Sequence, residues 1–385
     1  MKKITRKTSK TKDIKKDIKK DLTKDLTKDI KKTIKKDIKK EVPVEFIDSG
    51  STMLNLALSG KGKSGGWARG RIVNIVAKGS VGKSLAALEA GFIFNKKMKK
   101  NVSINFPKVK ESTVVYNNTE TVMDFPVASM YGQDFVDEVV WKNIPTVEET
   151  GRDFANLVIN LKKGNSLLYI IDSWDSLKSE ESIEAFLKAA KENKKKKAGF
   201  NLEKQAYGTQ DFFPNICTVM KRKDATLMII SQARPNVGVV YGPKYIRTGG
   251  DALNYYTHQV AWFKLLKEMK KIVRGREKPY GTRVGVDVRR SKVSIPYNKA
   301  EFNILFNHGF DDIPSMLSWY FGPEKKITEE EINIFSVQYD REKTNRTDII
   351  SFIEDNNLEV ELQDIVEKEW IEIEKAVQPH RKSKF

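Results

Sequence analysis

The segment Ala77–Ser84 carries the clearest chemical pattern in this sequence. It reads AKGSVGKS and matches G-x-x-x-x-G-K-[ST] at every position except the first, where alanine replaces glycine. In such a loop, backbone N–H groups at a helix N-terminus surround phosphates, the lysine reaches the terminal phosphates, and the Ser84 hydroxyl binds Mg²⁺. A chance glycine-rich turn is the alternative, but a strand pattern precedes the loop and a helix pattern follows it. The predicted nucleotide-binding residues here are Lys78, Gly79, Ser80, Val81, Gly82, Lys83 and Ser84.

Three polar residues stand at or just after the ends of other apolar runs. Asp172 closes LLYIID, Gln232 follows MIIS, and Glu120 comes three residues after TVVYN. Ligands bind at the carboxyl ends of strands in open α/β sheets, so Asp172 could support Mg²⁺, Glu120 could act as a base, and Gln232 could contact a terminal phosphate. By residue type alone, other roles stay open: Asp172 as a helix cap, Glu120 as a solvated loop charge, and Gln232 as a hydrogen-bonding group at a strand end.

The elements that must position these residues form an α/β pattern. Continuous apolar strands separated by helical stretches predict a mostly parallel sheet covered by helices on both faces. Later strand patterns without long helices between them predict antiparallel extensions, and the last 70 or so residues predict a small helical domain. The predicted strands are Arg71–Ala77, Thr113–Asn117, Leu167–Asp172, Ala225–Ser231, Gln259–Leu265, Arg283–Arg289 and Glu301–Phe306; the predicted helices include Ser84–Asn95, Asp348–Asp355 and Glu361–Val377.

The positive charge is concentrated at the N-terminus. The chain carries +19 in total, of which residues 1–40 hold +12, and Asp13–Lys40 consists of seven four-residue units such as DIKK and DLTK. Apolar residues every four positions wind around a helix and do not make one face. Two interpretations stay open: a solvated low-complexity tail, or an arm that binds nucleic-acid backbone or a neighbouring subunit. The predicted divisions are a tail over 1–41, a core over 42–310 and a C-terminal domain over 311–385.

Composition excludes several classes of protein. The single cysteine, Cys217, rules out an intramolecular disulfide, and one thiol with three histidines argues against a dedicated zinc site. No apolar run approaches the length of a membrane span, and residues 1–40 lack the apolar centre of a signal peptide. We therefore expect a soluble cytoplasmic protein without a membrane partner.

Four longer segments resemble the RecA-type recombinase family, which has bacterial and phage members. They are the span 50–83, IIDSWDSL, MIISQARPNVGVVYGPKYIRTGGDALNYY and VRRSKVSIPYNKAEFNILFNHG, and the similarity runs from about residue 44 to 310 and more weakly to 377. The resemblance implies a RecA-like P-loop ATPase core that uses ATP and Mg²⁺. It also implies a helical homo-oligomeric filament on single-stranded DNA that pairs with homologous duplex DNA and exchanges strands. The repeat tail and the degenerate loop favour a phage-type member, which would act in the host cytoplasm.

Carried over by position, the resemblance implies roles for individual residues. Lys83, Ser84 and Asp172 would bind phosphate and metal, Glu120 would be the catalytic glutamate, and Gln232 would link the terminal phosphate to a DNA loop. Asp124 would contact adenine. Arg290, Lys292 and Tyr255 would lie at the filament interface, with the two cations reaching the ATP of the neighbouring subunit.

Two DNA loops follow from the same resemblance. The second loop combines cations, aromatics and glycines, which suits unpaired strands and backbone-directed binding. Its predicted DNA-binding residues are Arg234, Tyr241, Lys244, Tyr245, Arg247, Gly249 and Gly250. The first loop would lie within Ser179–Gly208, where Lys194–Lys197 is interpreted either as a phosphate contact or as a solvated insertion.

The sequence departs from the family at several positions. The adenine-stacking aromatic would fall on Val127, and two alternatives stay open: Phe125 takes its place, or adenine is held loosely. Arg290 replaces a lysine. The chain ends HRKSKF where bacterial members commonly have an acidic tail. Ala77 and Val127 motivate a second hypothesis: a DNA-binding filament or mediator protein with an impaired ATPase. A hexameric helicase with the same core is a third possibility, which the GGDALNYY and VRRSK segments disfavour.

Overall fold

Four buried strands form the parallel centre of a large sheet, because runs of Val, Ile and Leu are stable only where helices cover both faces. In the computed structural model they are β3 (Ile72–Ala77), β4 (Glu111–Asn118), β6 (Asn165–Asp172) and β7 (Ala225–Pro235). The structure describes residues 43–98, 106, 108–120, 126–192, 207–236, 242, 244–247, 250–323, 326–341 and 345–379. All four strands were predicted, and β7 extends four residues beyond its predicted end.

The remaining strands are shorter or lie toward the sheet edges. They are β1 (Phe46–Ile47), β2 (Trp67–Ala68), β5 (Val140–Lys142), β8 (Tyr245–Arg247), β9 (Gln259–Val273), β10 (Arg276–Ser291), β11 (Lys299–Leu305) and β12 (Gly309–Asp311). Apart from the β1–β2 pair, the described strands form one sheet in the order β12-β11-β10-β9-β3-β7-β6-β4-β5, with β8 paired to β7. The order confirms the predicted α/β class with antiparallel extensions.

The helices follow the strands in alternation through the core. They are α1 (Thr52–Ser59), α2 (Lys83–Met98), α3 (Val127–Tyr131), α4 (Gln133–Glu138), α5 (Val147–Ile159), α6 (Glu180–Lys191), α7 (Phe213–Met220), α8 (Gly250–Tyr256), α9 (Asp312–Phe321), α10 (Glu329–Ile332), α11 (Arg346–Asp355) and α12 (Glu359–Ala376). A π-helical turn over Gly208–Phe212 leads into α7. Helix α2 begins at Lys83, one residue before its predicted start, and ends three residues after its predicted end.

The β9–β10 hairpin is much longer than its sequence pattern. Strands of 15 and 16 residues pair antiparallel from Gln259 opposite Ser291 out to Val273 opposite Arg276. The predicted segments covered only the part near the core. Beyond Phe263 nearly all β9 residues are exposed, so no apolar alternation marks them; mutual backbone hydrogen bonds hold the two strands together.

Two hydrophobic clusters lie on opposite faces of the sheet. One contains residues of α1 and α2 together with apolar residues of α9, α11 and α12. The other joins α5 and α7 to the second face of β3, β6 and β7. The C-terminal helices thus share a core with α1, and Thr52 of α1 donates to the Asp312 carboxylate from both its backbone nitrogen (2.7 Å) and its hydroxyl (2.6 Å). A separate domain over 311–385 stays a prediction.

Some predictions concern residues outside the described part of the chain. These are the tail over 1–41, the run Lys194–Lys197, and the individual residues Asp124, Phe125, Tyr241 and Gly249.

Candidate nucleotide site and its link to the DNA loop

The parallel register brings the predicted site residues to one edge of the sheet. Ala77 at the end of β3 lies beside Gln232 of β7, and Asn118 at the end of β4 lies beside Asp172 of β6. Carboxyl ends of parallel strands meet at the same edge, which is where ligands bind in such sheets. Residues separated by more than 150 positions in sequence therefore face one site.

The phosphate loop connects β3 to α2 through two left-handed backbone positions. Ser80 has φ 57° and Gly82 has φ 86°. A Cβ on Gly82 would approach the Ile304 side chain to 2.5 Å, so glycine is required there by both backbone and space. Ala77 is the fully buried last residue of β3, where extended backbone suits any residue. The backbone at the first motif position therefore does not require glycine, and alanine is compatible with it.

The Lys83 side chain lies within the loop. Its Nζ donates to the Lys78 carbonyl oxygen at 2.6 Å. Burial lowers the pKa of Lys83, while Asp172, Glu120 and Asp175 act in the opposite direction. The ammonium thus faces three carboxylates at the position where the motif places it near phosphate.

A buried oxygen cluster stands beside the lysine. Tyr116 donates from its hydroxyl to Asp172 Oδ2 at 2.5 Å, and the Ser84 hydroxyl also bonds the Asp172 carboxylate. Burial raises the pKa of Asp172, whereas the bonds from Ser84 and Tyr116 favour the ionised form. A hydroxyl and a carboxylate in contact are hard oxygen ligands of the kind Mg²⁺ prefers alongside phosphate oxygens. The sequence predicts the roles of Ser84 and Asp172 in metal binding but not that of Tyr116, because a position inside an apolar strand gives no sign of a polar role.

Glu120 occupies the centre of a polar network at the same edge. Its Oε1 accepts from Ser173 Oγ at 2.7 Å, Gln232 Nε2 at 3.0 Å and Ser176 Oγ at 3.3 Å. The backbone N–H of Gln232 donates to Asp175 Oδ2 at 2.7 Å. The structure therefore brings together Glu120 and Gln232. It adds Ser173, Ser176 and Asp175, which the IIDSWDSL segment contains but residue type alone did not single out.

The second predicted DNA loop begins directly after this network. Strand β8 pairs antiparallel with the end of β7, with Ala233 opposite Arg247 and Pro235 opposite Tyr245. Arg234, Lys244 and Tyr245 are exposed, and Arg234 lies 3.9 Å from Asp175.

Arg247 differs from the other described residues of this loop. Its guanidinium donates to the Asn74 and Asn254 side chains. Burial and the nearby Arg290 lower the pKa of Arg247 to about 10. In this structure the guanidinium is thus bound to the folded core instead of projecting into solvent.

The residues predicted to act across a subunit interface lie together. Lys292 Nζ donates to the Tyr255 carbonyl oxygen at 2.6 Å, and the Tyr255 side chain is 69% exposed. Burial and the neighbouring Arg290 lower the pKa of Lys292. The Arg290 Nε has no hydrogen-bond partner among the described residues. The cluster thus presents two cations and an exposed ring on one surface.

Of the two candidates for contact with the adenine ring, Val127 lies within the described residues and Phe125 lies outside them. Val127 begins α3 and is 7% exposed. A buried valine offers no ring face to a base, so this departure from the family pattern persists in the folded chain.

Among the described helices, none has the length and apolar character that crossing a bilayer demands.

Comparisons with known proteins agree with this arrangement. The family model described as the RecA N-terminal domain matches residues 12–311. Protein RecA of Gloeobacter violaceus is 25% identical over 331 residues, 86% of this chain and 79% of the relative. Protein RecA of Rippkaea orientalis is 25% identical over 327 residues, 85% of this chain and 82% of the relative.

Among solved structures, the RadB recombinase matches with a TM-score of 0.46 and 14% identity, covering 69% of this chain and 99% of that one. The family model spans well over half of the chain. The chain belongs to the RecA family of ATP- and DNA-binding recombination proteins.

Proposed function

We propose that this protein is an ATP-dependent recombinase that polymerises on single-stranded DNA in the cytoplasm, pairs it with homologous duplex DNA and exchanges strands. The observation that carries the proposal is the direct bond between Glu120 and Gln232. It joins the candidate base of the nucleotide site to the strand from which the second DNA loop extends.

Each residue at the strand edge has a defined task in hydrolysis. The loop N–H groups and Lys83 hold the triphosphate, and Ser84 and Asp172 would hold Mg²⁺, which neutralises charge on the phosphates when bound. Glu120 accepts the proton of the attacking water, and Ser173 and Ser176 orient its carboxylate. Gln232 exchanges its bond to Glu120 for the terminal phosphate. Its movement then alters β7 and the DNA loop.

The filament supplies the remaining groups. Arg290 and Lys292 of one subunit reach the ATP of the next, and Tyr255 packs in the same contact. A head-to-tail contact of this kind is heterologous, so it propagates into a helical polymer when the rotation does not close. Arg234, Lys244 and Tyr245 then bind DNA through its backbone and bases. This contact is salt-sensitive and independent of sequence.

A strand-exchange assay tests the proposal. With ATP, Mg²⁺, circular single-stranded DNA and homologous linear duplex, we expect joint molecules from the full chain and none from Lys83→Ala. A heterologous duplex is the control for pairing. Normal nucleotide binding without joint molecules under conditions that give filaments would reject strand exchange as the function.

The buried Val127 supports a second candidate, a DNA-binding filament or mediator protein with an impaired ATPase. It removes the ring that would stack on adenine. Phosphate release measured with and without single-stranded DNA separates the two candidates. Stimulation by DNA supports the recombinase, and an equal slow rate in both conditions supports the mediator.

A further inference from the structure

A direct contact joins the phosphate loop to the second DNA loop. Lys78 Nζ donates to the Tyr245 hydroxyl at 2.7 Å, and the same ammonium lies 4.1 Å from the centroid of the Tyr245 ring. Lys78 is the second residue of the phosphate loop, and Tyr245 begins β8. The pair therefore spans two segments that are 167 residues apart in sequence.

Side chains at both ends of strand β8 contact β3 or the phosphate loop that follows it. Its first residue, Tyr245, bonds Lys78. Its last residue, Arg247, bonds Asn74, a buried residue of β3. Asn74 is itself fixed, because its Nδ2 donates to the Ile229 carbonyl at 2.8 Å and to Ser231 Oγ at 3.0 Å. The Arg247 end is thus anchored in the core. The Tyr245 end is held by its pairing with β7, where the Asn236 N–H donates to the Lys244 carbonyl oxygen at 2.9 Å, and by the surface contact with Lys78.

The contact at the Tyr245 end is easily exchanged. Both side chains are exposed, so the bond competes with water and contributes little free energy. The Lys78 backbone carbonyl also accepts from Lys83. The backbone of Lys78 therefore contacts the nucleotide site, while its side chain contacts the predicted DNA loop. A triphosphate in the loop attracts both ammonium groups far more strongly than a neutral phenol or carbonyl does, because bonds between ions are stronger.

We propose that Lys78 and Tyr245 form a nucleotide-sensitive latch that holds β8 against the phosphate loop until a triphosphate takes over the Lys78 ammonium. Release of Tyr245 leaves the start of β8 held only by its backbone pairing with β7, and it frees the Tyr245 side chain, with Lys244 beside it, to bind single-stranded DNA. Arg247 keeps the other end attached to β3. The inference deepens the proposed function and rests on it for the identity of the DNA ligand. Lys78 and Tyr245 are positioning residues in this device.

The space around the pair permits this movement. Lys78, Gly79 and Tyr245 line one end of a cavity of about 1020 Å³ that continues between the β9–β10 hairpin and α9. The Tyr245 side chain therefore borders open space. The hydrogen bond from Lys78 lowers the pKa of the Tyr245 phenol.

The test measures binding of a fluorescent oligo-dT without nucleotide, with ADP and with a non-hydrolysable ATP analogue. Tyr245→Phe keeps the ring and removes the hydroxyl. We expect it to tighten binding without nucleotide by about twofold, the worth of one exposed hydrogen bond, and to reduce by the same factor the gain in affinity that the ATP analogue produces over the nucleotide-free state. Lys78→Met should act in the same direction, and the double variant should add nothing further, because both changes break one contact.

Tyr280→Phe serves as the matched control, since Tyr280 is an exposed tyrosine of β10, and we expect wild-type binding from it. Unchanged DNA affinity of Tyr245→Phe without nucleotide, or additive effects in the double variant, would overturn the latch.

A readout without DNA separates the latch from the proposed function. Backbone hydrogen exchange over residues 244–247 should increase when the ATP analogue binds the wild-type chain, and should already be high in Tyr245→Phe. If the wild type binds no DNA in any nucleotide state but shows this change, the latch stands and the DNA-binding function fails. If exchange over 244–247 ignores the nucleotide while DNA binding depends on it, the latch fails and the function stands.

Discussion

Gln232 donates from its side-chain amide to Glu120 Oε1 across 3.0 Å, and so connects two strands of the sheet through their functional side chains. An amide that bonds the candidate base holds its carboxylate in place. The same amide lies at the start of the segment that continues into β8. We therefore expect a ligand that draws Gln232 away to change the surroundings of Glu120 and, through β7, the predicted DNA loop.

Replacing Glu120 should separate binding from turnover. Glu120→Gln keeps the size of the side chain and its ability to accept from Ser173, but an amide cannot take a proton from water. We expect nucleotide and DNA affinity within about twofold of wild type and turnover lower by roughly 100-fold or more, the usual contribution of a general base. Phosphate release and DNA binding measured on the same sample provide the check. Turnover at the wild-type rate would place the base elsewhere.

Tyr116 should influence the metal through Asp172. Tyr116→Phe removes the hydroxyl that bonds Asp172 Oδ2, so the carboxylate loses a bond that favours its ionised form. We expect the Mg²⁺ concentration for half-maximal ATPase to rise several-fold, with a loss of about 1 kcal/mol in the free energy of unfolding. Tyr169→Phe is a control, because its hydroxyl donates to Asp153 of α5 and not to Asp172. A change in stability with an unchanged Mg²⁺ requirement would reduce Tyr116 to a structural role.

Mixing two inactive variants tests whether the cation cluster acts on the neighbouring subunit. Glu120→Gln removes the base on one side of the interface, and Lys292→Ala removes a cation on the other. In a random mixed filament, about a quarter of the interfaces combine an intact Glu120 with an intact Lys292, so ATPase should reappear. Each variant alone should stay inactive. Absence of recovery in filaments confirmed by microscopy would mean that Lys292 serves its own subunit.

Glu89 should make stability depend on pH. It lies in α2 near the Asp48 and Asp312 carboxylates, accepts from Tyr131 at 2.8 Å, and burial raises its pKa to about 7. In the unfolded chain it titrates near 4.5, so the folded state retains the proton over the intervening range. The stability that this provides is complete below pH 4.5 and is lost as the pH rises through 7.

Glu89→Gln checks this linkage, because glutamine stays neutral and still accepts from Tyr131. Between pH 5 and pH 8 the wild type should lose about 2–3 kcal/mol of unfolding free energy relative to the variant, as the size of the shift implies. Denaturant unfolding at both pH values measures the difference. Asp48 and its partner Lys97 (2.7 Å apart), and Asp312 with Thr52, are unchanged in both proteins. Parallel pH profiles would show that Glu89 is ionised in the folded state throughout.

The sequence by itself determined the phosphate loop, the positions of the central strands along the chain and the family. These depend on local patterns: a fixed spacing of Gly, Lys and Ser, and apolar runs long enough to be buried strands. Asp172, Glu120 and Gln232 could be proposed because each stands at or near the end of such a run. The long β9–β10 hairpin was underestimated, since its outer part is held by backbone pairing and leaves no apolar pattern.

Only the tertiary structure decided which side chains touch. Tyr116 on Asp172, Arg247 on Asn74 and Tyr245 on Lys78 join residues between 56 and 173 positions apart. Such contacts depend on strand register and on the path of loops across the sheet edge, and a polar residue within a strand gives no local sign of its partner. The chain's own pattern therefore indicates where the nucleotide site lies, while the fold determines how that site is connected to the DNA loop.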